Sequence, residues 1–158
     1  MDLLIKLYPA PTGDAPAWRA APGAPTVLLR KPIGPEHTIV VRWVAERFGI
    51  GWASEAQVAL SNRPVSLWLA TGPTELLGFA CFDATARGFF GPIGVAEAAR
   101  GQGLGAAMLR ACLNDMRAAG YGYAIVGHVG EPEFFRRIAG AIEIPDSTPG
   151  LYADQLMR

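Results

Sequence analysis

The chain has 158 residues, 51% of them hydrophobic, and its 14 basic and 14 acidic side chains cancel. That length fits a single domain with one core, expected over residues 1–158. Without a basic run nothing points to nucleic acid or an anionic membrane as partner. No apolar stretch reaches the ~18 residues of a bilayer span, and Met1-Asp2 lacks the basic opening of a signal peptide, so a soluble, cytoplasmic protein is expected.

Residues 2–8 read as an apolar strand. Residues 9–25, rich in Pro, Ala and Gly, have no periodicity and read as a loop, with Trp18 and Arg19 covering a groove or, the favoured reading, Trp18 pinning the loop to the surface. This extra strand and loop precede a core expected over 26–157. Residues 26–30 give a second strand. Pro35 suits the first helical position of a helix that runs to Phe48, with Ile39, Val40, Trp43, Val44 and Phe48 on its buried stripe and Gly49 and Gly51 at its end. A shorter helix follows over 54–61, with Ser54 as its cap.

Residues 64–71 and 76–84 flank Gly72-Pro73 as a hairpin, and residues 89–95 add a third strand to that meander. Pro92 cannot donate to a ladder, so this third strand is expected to carry a bulge or leave an edge unpaired. A long helix then places Leu104, Ala107, Met108, Ala111, Met116 and Ala119 on one face and stops at Gly120. The strand over 123–129 follows this crossover and should lie parallel to, and beside, the Phe89 strand. Pro132 opens a last helix that ends at Gly140, and residues 141–144 and 151–157 read as two closing strands.

Between the Phe89 strand and the long helix lies Arg100-Gly101-Gln102-Gly103-Leu104-Gly105-Ala106. A helix opening near Gly103 presents free N–H groups, the positive end of its dipole and the Arg100 guanidinium at one point, which suits an anion. Glycines there let backbone approach phosphate oxygens closely.

The run from Val95 to Ala106 resembles the signature of the GNAT superfamily of acyl-CoA-dependent N-acyltransferases, an apolar strand followed by R/Q-x-x-G-x-G/A at a helix start. Arg100, Gly103 and Gly105 fall on its fixed positions. The resemblance implies an α/β (α+β) fold: a mixed, mostly antiparallel sheet of about seven strands, helices on both faces, and a splayed cleft between the Phe89 and Tyr123 strands. It implies acetyl-CoA as co-substrate, its pyrophosphate held by Arg100, Gly101, Gln102, Gly103, Leu104, Gly105 and Ala106. The pantetheine arm would lie along Ile93, Gly94 and Val95, with a backbone N–H near Val95 facing the thioester oxygen and Phe134 and Phe135 close by. The two helices after the second strand would line the acceptor side, within reach of Glu46, Arg47, Trp52, Glu55 and Gln57.

Two other readings stay open. Gly101-x-Gly103-x-x-Ala106 also fits the dinucleotide fingerprint, but the strand that should end in an acid about 20 residues on ends in Gly127-His128-Val129. A dinucleotide-dependent oxidoreductase is therefore the weaker alternative. A non-catalytic acyl-CoA-binding module is the other, because Phe135 occupies the place where the family often carries a proton-donating tyrosine.

An amine of pKa about 10 is only about one part in a thousand neutral at pH 7, so acyl transfer needs a base or a desolvated site. His128, at the end of the strand lining the cleft, is the first candidate, because imidazole titrates near neutrality. Glu97, Asp83 and Glu55 follow. Tyr152, Tyr121 or water would protonate the departing thiol. Cys81 and Cys112 sit among apolar neighbours and read as small buried hydrophobes. With two histidines and no metal-ligand spacing, no metal is expected. The partner is expected to be a small-molecule or peptide amine, and a homodimer is compatible with the sequence.

Overall fold

A computed structural model of the protein describes residues 1–9 and 26–156. Trp18, Arg19 and the rest of the loop after Pro9 lie outside the described residues, as does Met157. Among the described residues seven strands form one sheet: β1 (Asp2–Lys6), β2 (Leu28–Arg30), β3 (Leu67–Thr71), β4 (Leu76–Phe82), β5 (Phe89–Val95), β6 (Tyr123–Val126) and β7 (Ile142–Ile144). Their order across the sheet is β2-β3-β4-β5-β6-β1-β7. Only β5 and β6 run parallel, as the helical crossover between them requires. The expected mixed, mostly antiparallel sheet is thus present.

Strand β4 shows why helices are needed on both sides. Its residues are buried from Gly78 to Phe82 without a break, the pattern of a strand covered on both faces. Phe79 and Cys81 point into a core under α1 (His37–Phe48) and α2 (Ile50–Ser61), with Val40, Val44, Ala56 and Leu67. Ala80 and Phe82 point the other way, toward α3 (Leu104–Ala118) and α4 (Pro132–Ala139), where Leu3, Ile5, Phe90, Met108, Met116 and Phe135 collect. Each fully buried Leu, Ile, Phe or Met is worth about 1.5–3 kcal/mol, so the two cores hold the sheet between its helices. Asp115 of α3 ties the far edge down, accepting from Trp68 Nε1 at 2.9 Å and pairing with Lys31 at 2.9 Å. Both cysteines are fully buried, and burial pushes each thiol well up from its ordinary value, in keeping with hydrophobic packing.

Beyond shifts of one to three residues at element ends, three readings differ from the sequence reading. The second helix begins at Ile50, directly after Gly49, so Ser54 is no cap; its hydroxyl instead donates to the Ile50 carbonyl one turn back. The strand from Tyr123 stops at Val126, because His128 takes a left-handed backbone (φ 50°) that no ladder accepts. In place of a closing strand, Gly150–Tyr152 forms one 3-10 turn. The reason is positional: β1 already lies between β6 and β7, antiparallel to both, so no open ladder remains beside β6 for the end of the chain.

Candidate active site

Parallel pairing between β5 and β6 covers only Phe89 with Ile125 and Phe90 with Val126. Beyond them the strands part. On its other side β5 stays paired to β4, but its register slips between Phe90 and Ile93, the bulge expected at Pro92. The Ala96 N–H donates to the Leu77 carbonyl at 2.8 Å, so alternation turns Gly94 toward β4 and the N–H and C=O of Ile93 and Val95 toward the gap left by β6. Arg100 confirms the direction, since its Nε donates to the Val95 carbonyl at 3.2 Å.

A 3-10 turn, Glu97–Ala99, carries the chain to the glycines. Gly101 and Gly103 take φ +77° and +80°, the left-handed region that a side chain resists, and a Cβ at Gly101 would meet open space. Helix α3 opens without a side-chain cap, and its first internal bond runs from the Ala107 N–H to the Gly103 carbonyl. The N–H groups of Leu104, Gly105 and Ala106 therefore have no acceptor within the helix. Donors, dipole and the exposed Arg100 guanidinium converge at the end of the strand whose outer edge is open.

Phe134 and Phe135 divide their labour. The Phe134 ring stands 3.5 Å from where a side chain on Gly105 would begin, beside the first turn of α3. Phe135 is buried edge-on to Phe90 at 6.0 Å and fastens α4 to the start of β5.

The titratable candidates are spread out. Glu97 is exposed on the 3-10 turn, at the glycine end of β5. Asp83 accepts from the Gly88 N–H at 2.7 Å and from the Tyr121 hydroxyl at 2.9 Å, holding the β4–β5 turn. His128 stands where the strands part: its N–H donates to Asp2 Oδ1 at 3.1 Å, and its ring lies 5.5 Å from the ring of Tyr152. Burial, ahead of the nearby Glu55 and Asp2 carboxylates, raises the Tyr152 phenol above the ordinary tyrosine value, partly offset by the Thr85 hydroxyl. Among the described residues no group of histidine, cysteine and carboxylate side chains is arranged to hold a metal, and no helix is long and apolar enough to cross a membrane.

Of the residues expected on the acceptor side, Glu55 receives the Thr85 hydroxyl at 2.5 Å and Trp52 stacks on Phe48 at 5.2 Å. Arg47 lies over the Trp43 ring, and Glu46 and Gln57 are exposed. The sequence reading assigns no site role to three residues that the structure brings beside these candidates: Thr85, Phe48 and Gly127. Nothing in the local sequence marks the first two. Gly127, next to His128 just past the end of β6, was the available signal.

The acetyltransferase (GNAT) family profile matches residues 37–139, well over half of the chain. The chain belongs to the GNAT acetyltransferase family. No curated protein matches it. The GNAT fold is shared with a GCN5-related N-acetyltransferase from Sphaerobacter thermophilus, at 23% identity and a TM-score of 0.66 over 89% of this chain. It is also shared with the family member YhbS from Escherichia coli in complex with CoA, at 19% identity and TM-score 0.56, covering 76% of this chain and 71% of that one. A GNAT acetyltransferase from Brucella melitensis, in complex with acetyl-CoA, gives 19% identity and TM-score 0.51 over 72% of this chain and 82% of its own. The chain spans 47% of the Sphaerobacter protein's length.

Proposed function

We propose that this GNAT chain transfers an acetyl group from acetyl-CoA to a primary amine by direct attack. The observation that carries the reading is the parting of β5 and β6 beyond Phe90 and Val126, immediately ahead of the glycine turn. An extended ligand could add itself to the open edge of β5, its two pantetheine amides meeting the Ile93 and Val95 backbone while the pyrophosphate meets Arg100, Gly101, Gly103 and the free N–H groups of α3.

In that register the thioester lies toward the parting, and a backbone N–H of β5 would donate to its oxygen as that oxygen becomes an oxyanion. The amine nitrogen attacks the thioester carbon, the carbon–sulfur bond breaks, the nitrogen loses its proton, and CoA leaves as the thiol. His128 is the proposed base, since it stands at the parting, whereas Glu97 lies at the opposite, glycine end and the Asp83 carboxylate is engaged in its turn. Tyr152 is the proposed donor to the departing sulfur.

The alternative, an acyl-CoA-binding module without turnover, draws on Phe135, which cannot donate a proton and is packed into the core. Release of free thiol from acetyl-CoA across a panel of amines separates the two. Turnover with any amine supports the transferase; tight CoA binding with silence across the panel supports the module.

A further inference from the structure

The face of the sheet beneath α1 and α2 meets the parting of β5 and β6 from the side opposite α3. On that face β5 and the residue just after β6 present glycine: Gly94 lies under the Phe48 ring, and Gly127 lies under the Tyr152 hydroxyl and the Phe89 ring. The lining there comes from elsewhere in the chain. Trp52 and Glu55 sit three residues apart on α2 and so share one side of the helix. The Trp52 ring is stacked on Phe48 (5.2 Å, 27° between planes), is 6.2 Å from Phe79, and keeps 37% of its surface exposed. The Glu55 carboxylate takes the Thr85 hydroxyl on one oxygen, and among the described residues no basic side chain pairs with it.

Two carboxylates, Glu55 and the buried Asp2, stand near the Tyr152 phenol and, behind burial itself and against the Thr85 hydroxyl, raise its hold on its proton; the His128 ring lies on its other side at 5.5 Å. The Arg47 guanidinium is taken up by the Trp43 ring, 4.5 Å from its centroid. A partly exposed Trp52 ring, backed by the half-buried Phe48 and beside a carboxylate with no ion-pair partner, favours an organic ammonium with a flat body, by stacking and by cation–π attraction. The same carboxylates repel an acceptor that carries its own carboxylate next to the amine.

We propose that the acceptor is a cationic primary amine bearing a flat apolar group and no carboxylate beside the nitrogen, its ammonium received by Glu55 and its body by the Phe48–Trp52 pair. This assignment rests on the acetyl-transfer reading and names its substrate class. Thr85 is a positioning residue: it fixes one oxygen of Glu55 and leaves the other for the ligand.

The test uses acetyl-CoA with 2-phenylethylamine, phenylalanine and butylamine, following thiol release, together with calorimetry of acetyl-CoA and of each amine. The kcat/KM for 2-phenylethylamine should exceed that for the other two by about tenfold or more, the factor that one modest contact supplies. Glu55→Gln, which keeps the shape, should raise the KM for 2-phenylethylamine by about tenfold and leave that for acetyl-CoA unchanged. Trp52→Leu should act in the same direction, and Thr85→Val should raise the amine KM while Thr85→Ser restores it. Equal or better turnover of phenylalanine or butylamine overturns the assignment, as does an amine KM indifferent to Glu55→Gln. Both of those outcomes leave acetyl transfer standing, whereas failure of acetyl-CoA itself to bind removes the transfer reading and the acceptor with it.

Discussion

A side chain on residue 94 would begin 2.6 Å from the tip of the Phe48 ring, so α1 and β5 meet through the side chain that Gly94 lacks. Phe48 has little room to retreat, with Trp43, Trp52 and Phe79 around it at ring separations of 5.2–5.8 Å. Gly94→Ala should therefore destabilise the fold by about 1–3 kcal/mol, the usual cost of overpacking. Phe48→Leu in the same background should recover part of it. Urea denaturation of the two variants checks this; an unchanged midpoint for Gly94→Ala would mean the ring moves freely.

Tyr152 offers a second test. Its phenol is held protonated by burial, as a donor requires. A thiolate of intrinsic pKa about 8.5 that leaves unprotonated at pH 7 forfeits about 2 kcal/mol, a factor of about 30. Tyr152→Phe should thus lower kcat by up to about 30-fold with the acetyl-CoA KM unaltered. Tyr121→Phe should leave kcat alone, because that hydroxyl is committed to Asp83. Equal effects from the two substitutions would remove Tyr152 from the role.

The turn before α1 should show in acid. Glu36 accepts from both Arg30 terminal nitrogens, at 2.8 and 2.6 Å, and from the Ile33 N–H at 2.9 Å. These bonds, Arg30 foremost, hold its carboxyl down at about 2 from an ordinary 4.5. A depressed carboxyl binds its proton more readily in the unfolded chain. Its contribution is therefore complete above pH 4.5 and is lost as pH falls from there toward 2. The pair is partly exposed, so water screening limits it to about 1 kcal/mol. Glu36→Gln should cost about that at pH 6 and progressively less near pH 3 in urea melts. A cost that grows in acid would reverse the sign.

How much of this was legible in the sequence follows from which interactions are local. The meander β3–β5, the bulge at Pro92, the glycine turn and the stripe of α3 were readable, because alternation, proline, left-handed glycine and the 3.6-residue period act within a few residues. The seat of β1 between β6 and β7 was not, since Leu3 and Ile5 mark a buried strand without naming its neighbours. Residues 151–157 carried a strand-like pattern, but the ladder they would have joined was already filled from the other end of the chain. The glycine turn and Arg100 are candidates for the same local reason. The Glu55–Thr85 bond spans 30 positions and Tyr152 arrives from the C-terminal 3-10 turn, so the proposed acceptor face needed the fold.

The most direct measurement is calorimetric titration of acetyl-CoA into the wild-type chain and into a variant with Arg100→Ala and Gly103→Asp together. If the glycine turn and the guanidinium grip the pyrophosphate, the wild type binds and the variant, its helix start now carrying a carboxylate in place of the left-handed glycine, loses binding while circular dichroism reports a folded protein. Undiminished affinity in the folded variant would contradict the assignment of the coenzyme to this turn.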